Sequence, residues 1–247
     1  MKEFRVDQLL VRQYGTRREM GAQAARDAAE TLRALLARKE EINVMFAAAY
    51  SQSELLSGLV ASDVDWSRVN AFHMDNYIDL PADAPQQFSN FLTRYLFGLV
   101  PFRQVFLMGD TEADAPRYAA LLRSHPLDVC FMGVGENGHI AFNDPDMADF
   151  HDPLLVKRVE LDLMCRNQQV HDKCFETLEQ VPRYALTATV PALTSADAVF
   201  CVVPALSKAD AVRAMLTEPV REACPASILR RHPNARLYLD ADAASRL

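Results

Sequence analysis

The chain reads as an α/β protein: a single domain over residues 1–247 with a mainly parallel β-sheet and helices on both faces. Three observations point there. Short continuous apolar runs of buried-strand type alternate with stretches whose apolar residues recur every three to four positions. The alternation runs on without a repeat, a low-complexity stretch or a linker to mark a second domain. The composition, 50% hydrophobic and 24% charged over 247 residues, can bury a large core.

Met20, Ala24, Ala28, Leu32, Leu35 and Leu36 recur at three and four, which predicts an amphipathic helix over about 17–38. INVMFAA (42–48) follows as a buried strand. Ser51 and Glu54 have capping-box spacing ahead of a helix over ELLSGLV. RVNAFHM (68–74) is a strand, and Pro85 can open a helix carrying Phe88, Phe91, Leu92, Tyr95 and Leu96 on one face until Gly98 and Pro101. QVFLM (104–108), a helix near 112–124 and LDVCFMGV (127–134) continue the alternation. In the second half LLVKRVEL (154–161), YALTATV (184–190) and DAVFCVVP (197–204) read as strands, 207–216 as a helix and ARLYLD (235–240) as a last strand.

A net charge of −7, from 33 acidic and 26 basic residues, argues against general binding to nucleic acids or anionic membranes, which need a basic face. It leaves room for a small phosphate ligand held by one or two cations. No apolar run approaches the roughly 18 residues of a membrane span, and the mixed-charge N-terminus lacks a signal-peptide core. The five cysteines, Cys130, Cys165, Cys174, Cys201 and Cys224, are odd in number and form no CxxC. Buried free thiols in a reducing cytoplasm are the expectation.

In such sheets ligands bind beyond the carboxyl ends of strands, so the residues after each strand carry the functional reading. Three of only eight glycines fall together in GVGENG (133–138). The dinucleotide-binding pattern is matched, but HIAFNDP follows where a long helix should start, and Pro145 breaks any helix early. The better reading is a tight loop presenting His139, with Asn137 and Asp144 at hand to orient the ring. Asp144, Asp146, Asp149, His151 and Asp152 lack a recognised ligand spacing and read as a solvated acidic loop, not a metal site. Asp75 follows the strand RVNAFHM, flanked by Phe72 and Tyr77, where partial desolvation would make it a base. His73 would share its strand face and reads as a packed or hydrogen-bonded ring. Lys208 stands in the first turn of the 207–216 helix, a poor place for a cation unless an anion is held there jointly with free N–H groups. The helix start at Ser51-Gln52-Ser53 is a second candidate anion nest. A base, a histidine and an anion site after different strands suit proton transfer on a small phosphorylated carbonyl compound.

FHMDNYIDLP, DVCFMGVGENGHIAFNDP, VPRYALTATVPAL, SKADAVRAML and CPASILRRHP stand in the order seen in glucosamine-6-phosphate deaminases, which the chain resembles from about residue 40 to its end. The wider superfamily includes 6-phosphogluconolactonases. HIAFN after the glycine loop resembles the deaminase branch. The resemblance implies a Rossmann-like fold, no obligatory cofactor or metal, and conversion of glucosamine 6-phosphate and water to fructose 6-phosphate and ammonia. It implies that Asp75 moves a proton between C2 and C1. It implies also that His139, with Asn137 and Asp144, assists opening of the sugar ring and that Lys208 binds phosphate. Tyr50, Ser51, Gln52, Ser53 and Gly135 then complete the substrate site.

The chain also departs from the pattern. Asn137 stands where the resemblance implies Asp, Asp144 where it implies Glu, and Asn76 where it implies an acid. AAYSQS (48–53) replaces a glycine-containing phosphate loop. A second phosphate-binding arginine has no match, with Arg166 and Lys173 as stand-ins. The partner expected is a small phosphorylated amino sugar, with a homo-oligomer left open. A 6-phosphogluconolactonase-like hydrolase using His139 to activate water, and a non-catalytic sugar-phosphate-binding protein, are the alternatives.

Overall fold

The central strands of the main sheet are mostly apolar because both faces there are covered, and helices take up the amphipathic stretches between them. The computed structural model describes residues 1–247. The chain opens with a hairpin, β1 (Lys2–Val6) and β2 (Leu9–Gln13), followed by α1 (Arg17–Leu36) and β3 (Ile42–Phe46). Next come α2 (Ser53–Val60), β4 (Val69–His73), β5 (Asp75–Tyr77), α3 (Phe88–Leu92), β6 (Gln104–Phe106) and α4 (Ala115–Ser124). The second half holds β7 (Val129–Met132), β8 (Val156–Glu160), α5 (Leu163–His171), β9 (Tyr184–Ala188) and α6 (Val190–Thr194). The chain finishes with β10 (Ala198–Val203), α7 (Ala209–Thr217) and β11 (Ala235–Leu239).

Eight strands form the main sheet in the order β1-β2-β11-β10-β7-β3-β4-β6, parallel throughout except for the β1–β2 hairpin. Alternation along each strand divides the core. Val129 and Phe131 of β7 join α1 and α2 on one face, while Cys130 and Met132 join α4 and α7 on the other. The chain runs outward from β3 through β4 to β6, then returns to place β7 on the opposite side of β3. A crevice therefore opens between the carboxyl ends of β3 and β7, where neighbouring loops leave in opposite directions.

Not all predicted strands enter this sheet. YALTATV and LLVKRVEL become β9 and β8 of a separate antiparallel sheet, order β5-β9-β8. Its third strand, β5, begins one residue past β4, so the strand predicted over 68–74 is followed at once by a second that pairs elsewhere. Asp75 lies opposite Thr187 in that register.

Two predicted helix starts are corrected. The Ser51–Glu54 capping box does not form. Glu54 accepts from Arg17 Nε at 2.8 Å, and Ser53 Oγ donates to the Tyr50 carbonyl at 2.8 Å. Residues 50–52 form a 3₁₀ turn ahead of α2. The helix expected from Pro85 begins instead at Phe88, whose N–H is accepted by Asn76 Oδ1 at 3.0 Å, a cap supplied by β5 and invisible to local sequence. It continues as a π-turn over Thr93–Phe97. No helix is long and apolar enough to cross a membrane.

Candidate active site

Four strands of the main sheet deliver their following residues into one cleft of about 320 Å³. Ala47–Ser51 follow β3, Met74 and Asp75 follow β4, Gly133–Gly135 follow β7, and Pro204, Ala205, Ser207 and Lys208 follow β10. Of the residues predicted from sequence, Tyr50, Ser51, Asp75, Gly135, His139 and Lys208 line it. Asn137 and Asp144 stand behind His139. Gln52 and Ser53 do not line it: Gln52 Nε2 turns inward to the Val202 carbonyl and to Ser51 Oγ, both at 3.1 Å.

Asp75 is 6% exposed, and no side chain or backbone group hydrogen-bonds its carboxyl. Burial pushes its pKa up to about 8, because nothing offsets the loss of water around the charged form. The residue is held by its backbone. His73 Nδ1 lies 2.9 Å from the Asp75 carbonyl, and His73 Nε2 accepts the Met108 N–H at 2.8 Å. Nδ1 therefore carries the proton and donates it to Asp75 O. Burial lowers the His73 pKa to about 4, which keeps the ring neutral. With both nitrogens engaged and no place on the cleft, His73 is scaffold. The expected shared strand face with Asp75 is absent because the two residues lie in different strands.

The glycine loop is closed by its own backbone: Gly135 N–H donates to His139 O at 2.9 Å, and Gly138 N–H to Gly135 O at 3.0 Å. Gly138 has φ +87°, a conformation side chains resist, and no helix follows, as the sequence implied. The His139 ring lies on the Gly135 backbone so closely that a methyl there would overlap it. Gly135→Ala should therefore lower turnover about 10²-fold through a displaced ring, with near-native circular dichroism. Unchanged kinetics would show that the ring position does not matter.

His139 Nδ1 lies 3.0 Å from Asp144 Oδ1, off the line of a straight hydrogen bond. Burial alone would push Asp144 up. The His139 contact, the Asn137 amide and the Asp162 N–H outweigh it, and its pKa is lowered. Asn137 uses every polar atom: Nδ2 donates to Asp144 Oδ1 and Asp162 Oδ2, both at 2.9 Å, and Oδ1 accepts the His139 N–H at 3.0 Å. Cys165 Sγ joins this group, within 4.8 Å of the His139 and Asp144 ligand atoms. Asp144 already accepts from Asn137 and from the Asp162 N–H at 3.3 Å, so the trio reads as support for His139 more than as a metal centre. The acidic loop beyond it splits up. Asp144 is buried, Asp146, Asp149 and His151 are exposed, and Asp152 pairs with Lys157 at 2.7 Å.

Lys208 closes the other end. The ordinary solvated lysine is excluded, since it is 5% exposed and its Nζ has no hydrogen-bond partner. Burial lowers its pKa, with Asp172 and Glu136 acting weakly in the opposite direction. It sits at the N-cap of α7, after a 3₁₀ turn over 206–208 and not inside the helix as expected. A buried ammonium without a partner, at a helix N-terminus and facing a cleft, has the chemistry to receive an anion. Three residues of this lining hold left-handed backbone without being glycine: Ala141 (φ 49°), Lys173 (φ 59°) and Ala205 (φ 84°). Each such conformation costs about 1–3 kcal/mol and persists only where its surroundings impose it.

The family profile described as glucosamine-6-phosphate isomerases/6-phosphogluconolactonase matches residues 15–238. The chain belongs to this family. It is 34% identical over 212 residues to the glucosamine-6-phosphate deaminase of Listeria innocua, covering 84% of this chain and 88% of that one. Its structure is similar to a monomeric glucosamine-6-phosphate deaminase at TM-score 0.87 and 25% identity, over 96% and 99% of the two chains. It shares its fold with the 6-phosphogluconolactonase of Trypanosoma brucei at TM-score 0.80 and 18% identity, over 96% and 98%.

The departures from the family pattern have local reasons. Asn76 is buried, capping α3 and reaching the Met108 and Gly109 carbonyls at 3.4 Å. The 48–53 loop needs no glycine, because none of its residues has positive φ. Of the two stand-ins for the family's second phosphate ligand, Arg166 is excluded. Its guanidinium donates to the carbonyls of Leu178 and Val181 at 2.8 and 3.0 Å and does not line the cleft, whereas Lys173 does.

Sequence reasoning missed the wall formed by α5 and the turn after it: Gln168, Gln169, Asp172 and Cys174. LMCRNQQVH has little apolar period, and the available signal was its cap, Asp162, whose Oδ1 accepts the Cys165 N–H at 2.6 Å. Arg17, which reaches the Tyr50 carbonyl from α1, and the facing Phe88 and Phe91 were also missed as lining.

Proposed function

We propose that the protein converts glucosamine 6-phosphate and water to fructose 6-phosphate and ammonia. The observation that carries this reading is the pairing, in one cleft, of an unpartnered carboxyl poised near neutrality with an unpartnered buried ammonium. Lys208 binds the phosphate, helped by Ser51, the N–H groups at the start of α7 and the nearby Lys173. That anchors C6 and sets the other end of the sugar against Asp75 and His139. His139, backed by Asp144, takes the proton of the C1 hydroxyl and returns it to the ring oxygen as the bond between C1 and that oxygen opens. Asp75 in its ionised form takes the proton from C2 and delivers it to C1, while the C1 carbonyl oxygen gains a proton as the C2 amine loses one, leaving a C1 hydroxyl and an imine at C2. Water adds there and ammonia leaves. A carboxyl with a pKa near the working pH can both accept and return that proton. The five cysteines are unpaired, which supports a reducing, cytoplasmic setting. All groups named come from one chain.

Incubation with a panel of hexosamine 6-phosphates and 6-phosphogluconolactone should release ammonia and ketose in equal amounts from glucosamine 6-phosphate. Lactone hydrolysis with neither product would establish the hydrolase reading instead. Binding of sugar phosphates without turnover would establish the binding-protein reading.

A further inference from the structure

We infer that Asp240 is a positioning residue for the anion end of the cleft, holding the strained turn at Ala205 in the conformation that presents Lys208. The inference rests on the phosphate-binding reading of Lys208. Ala205 has φ 84° and ψ 149°, a region that glycine alone occupies freely. An alanine left to itself would relax out of it.

What prevents this is the strand next door. β10 and β11 are parallel neighbours with Val203 opposite Leu239, so the residue after β11 meets the turn after β10. That residue is Asp240, 4% exposed. Its two carboxylate oxygens lie 3.1 and 3.0 Å from the Ala205 nitrogen and accept its N–H, and Oδ1 also accepts the Ala243 N–H at 2.8 Å. A charged acceptor makes these bonds stronger than neutral ones. On its other side Ala205 accepts the Lys208 N–H at 3.1 Å, closing the turn that leads into α7. The chain of contact runs from the Asp240 carboxylate through the Ala205 peptide to the backbone of Lys208. Ala205 and Lys208 line the cleft, and Asp240 does not. Its charge is used on backbone N–H groups, and it acts on the ligand only through the turn.

Asp240→Asn keeps the shape but turns an NH₂ group toward N–H donors. The turn then relaxes, and each binding event must first restore it. Calorimetric titration with inorganic phosphate and with fructose 6-phosphate, beside steady-state kinetics, tests this. Asp240→Asn should bind both ligands about tenfold more weakly and raise KM by a similar factor, with kcat within about twofold of wild type. Adding Ala205→Gly removes the strain that Asp240 opposes, so the double variant should recover most of the affinity. Ala205→Val, which leaves Asp240 in place but cannot hold a left-handed backbone, should lose affinity in the same way.

A purely structural role would lower the thermal midpoint of Asp240→Asn while the folded variant bound phosphate normally, and that result overturns the inference. So does a double variant that regains thermal stability without affinity, or Ala205→Val with wild-type affinity should Asp240→Asn fail to fold. Wild-type protein that binds neither ligand would overturn the Lys208 reading itself, and this inference with it.

Discussion

Asp75→Asn should abolish deuterium incorporation at carbon from heavy water and lower kcat about 10²–10⁴-fold. The amide has nearly the shape of the carboxylate, so the sugar phosphate still binds, but it cannot accept the C2 proton. His139→Gln behaves differently, slowing turnover of the cyclic sugar more than of an open-chain substrate. In the wild type, kcat/KM should rise with pH through about 8, since the free enzyme must lose the Asp75 proton to act as base. Stability carries a second signature. The folded pKa of Asp75 is raised above its ordinary 3.8, so the wild type loses stability as pH climbs from about 4 to about 8, because the unfolded chain ionises there while the buried carboxyl stays protonated. Asn has no such penalty. The thermal midpoint of Asp75→Asn should therefore exceed wild type by a margin that grows over that window and then levels. Exchange retained in the variant, followed by NMR, would mean that another group is the base. His73 is not available for that role, because both its ring nitrogens are engaged.

Lys208→Met should weaken binding of sugar phosphates by about 2–5 kcal/mol, roughly 30-fold or more, while raising the thermal midpoint. The two effects have one cause. The ammonium is buried with no hydrogen-bond partner, so the empty protein bears its desolvation until an anion arrives. The folded pKa lies below the ordinary 10.5, so the penalty is present at neutral pH and fades as pH rises toward 10.5, where the unfolded chain also loses the proton. Methionine fills a similar volume without the charge. A gain on the order of 1–2 kcal/mol corresponds to a few degrees in a chain of this size. Saturating phosphate should stabilise the wild type and leave the variant unmoved, which narrows the gap. Equal affinity for a sugar phosphate in the two proteins would remove Lys208 from the site.

Elements with strong periodicity were legible: α1, β3, β4, β7, β10 and β11 lie within a few residues of where the apolar pattern puts them. The N-terminal hairpin was not. KEFRV buries only Phe4 and Val6 against the core, and an edge strand half open to water carries too few apolar residues to announce itself. β5 is three residues long and α5 is mostly polar, so neither offers a period to read. The sheet partners of β8 and β9 were equally hidden, because an apolar strand records that it is buried and not which neighbour covers it.

The candidate site residues divide in the same way. By itself the sequence determined the fold class and singled out Asp75, His139 and Lys208, because residues beyond strand ends, a glycine cluster and a cation at a helix start are local signals. The tertiary structure alone decided their states. Asp75 is poised near pH 8 because its burial excludes water without supplying a partner. Lys208 is unpaired because Asp172 and Glu136 reach it too weakly to form an ion pair. Asp240 meets Ala205 because β10 and β11, far apart in the family's linear pattern of motifs, are neighbours in the sheet. Desolvation and strand adjacency are sums over groups from many parts of the chain, and no local stretch of residues contains them.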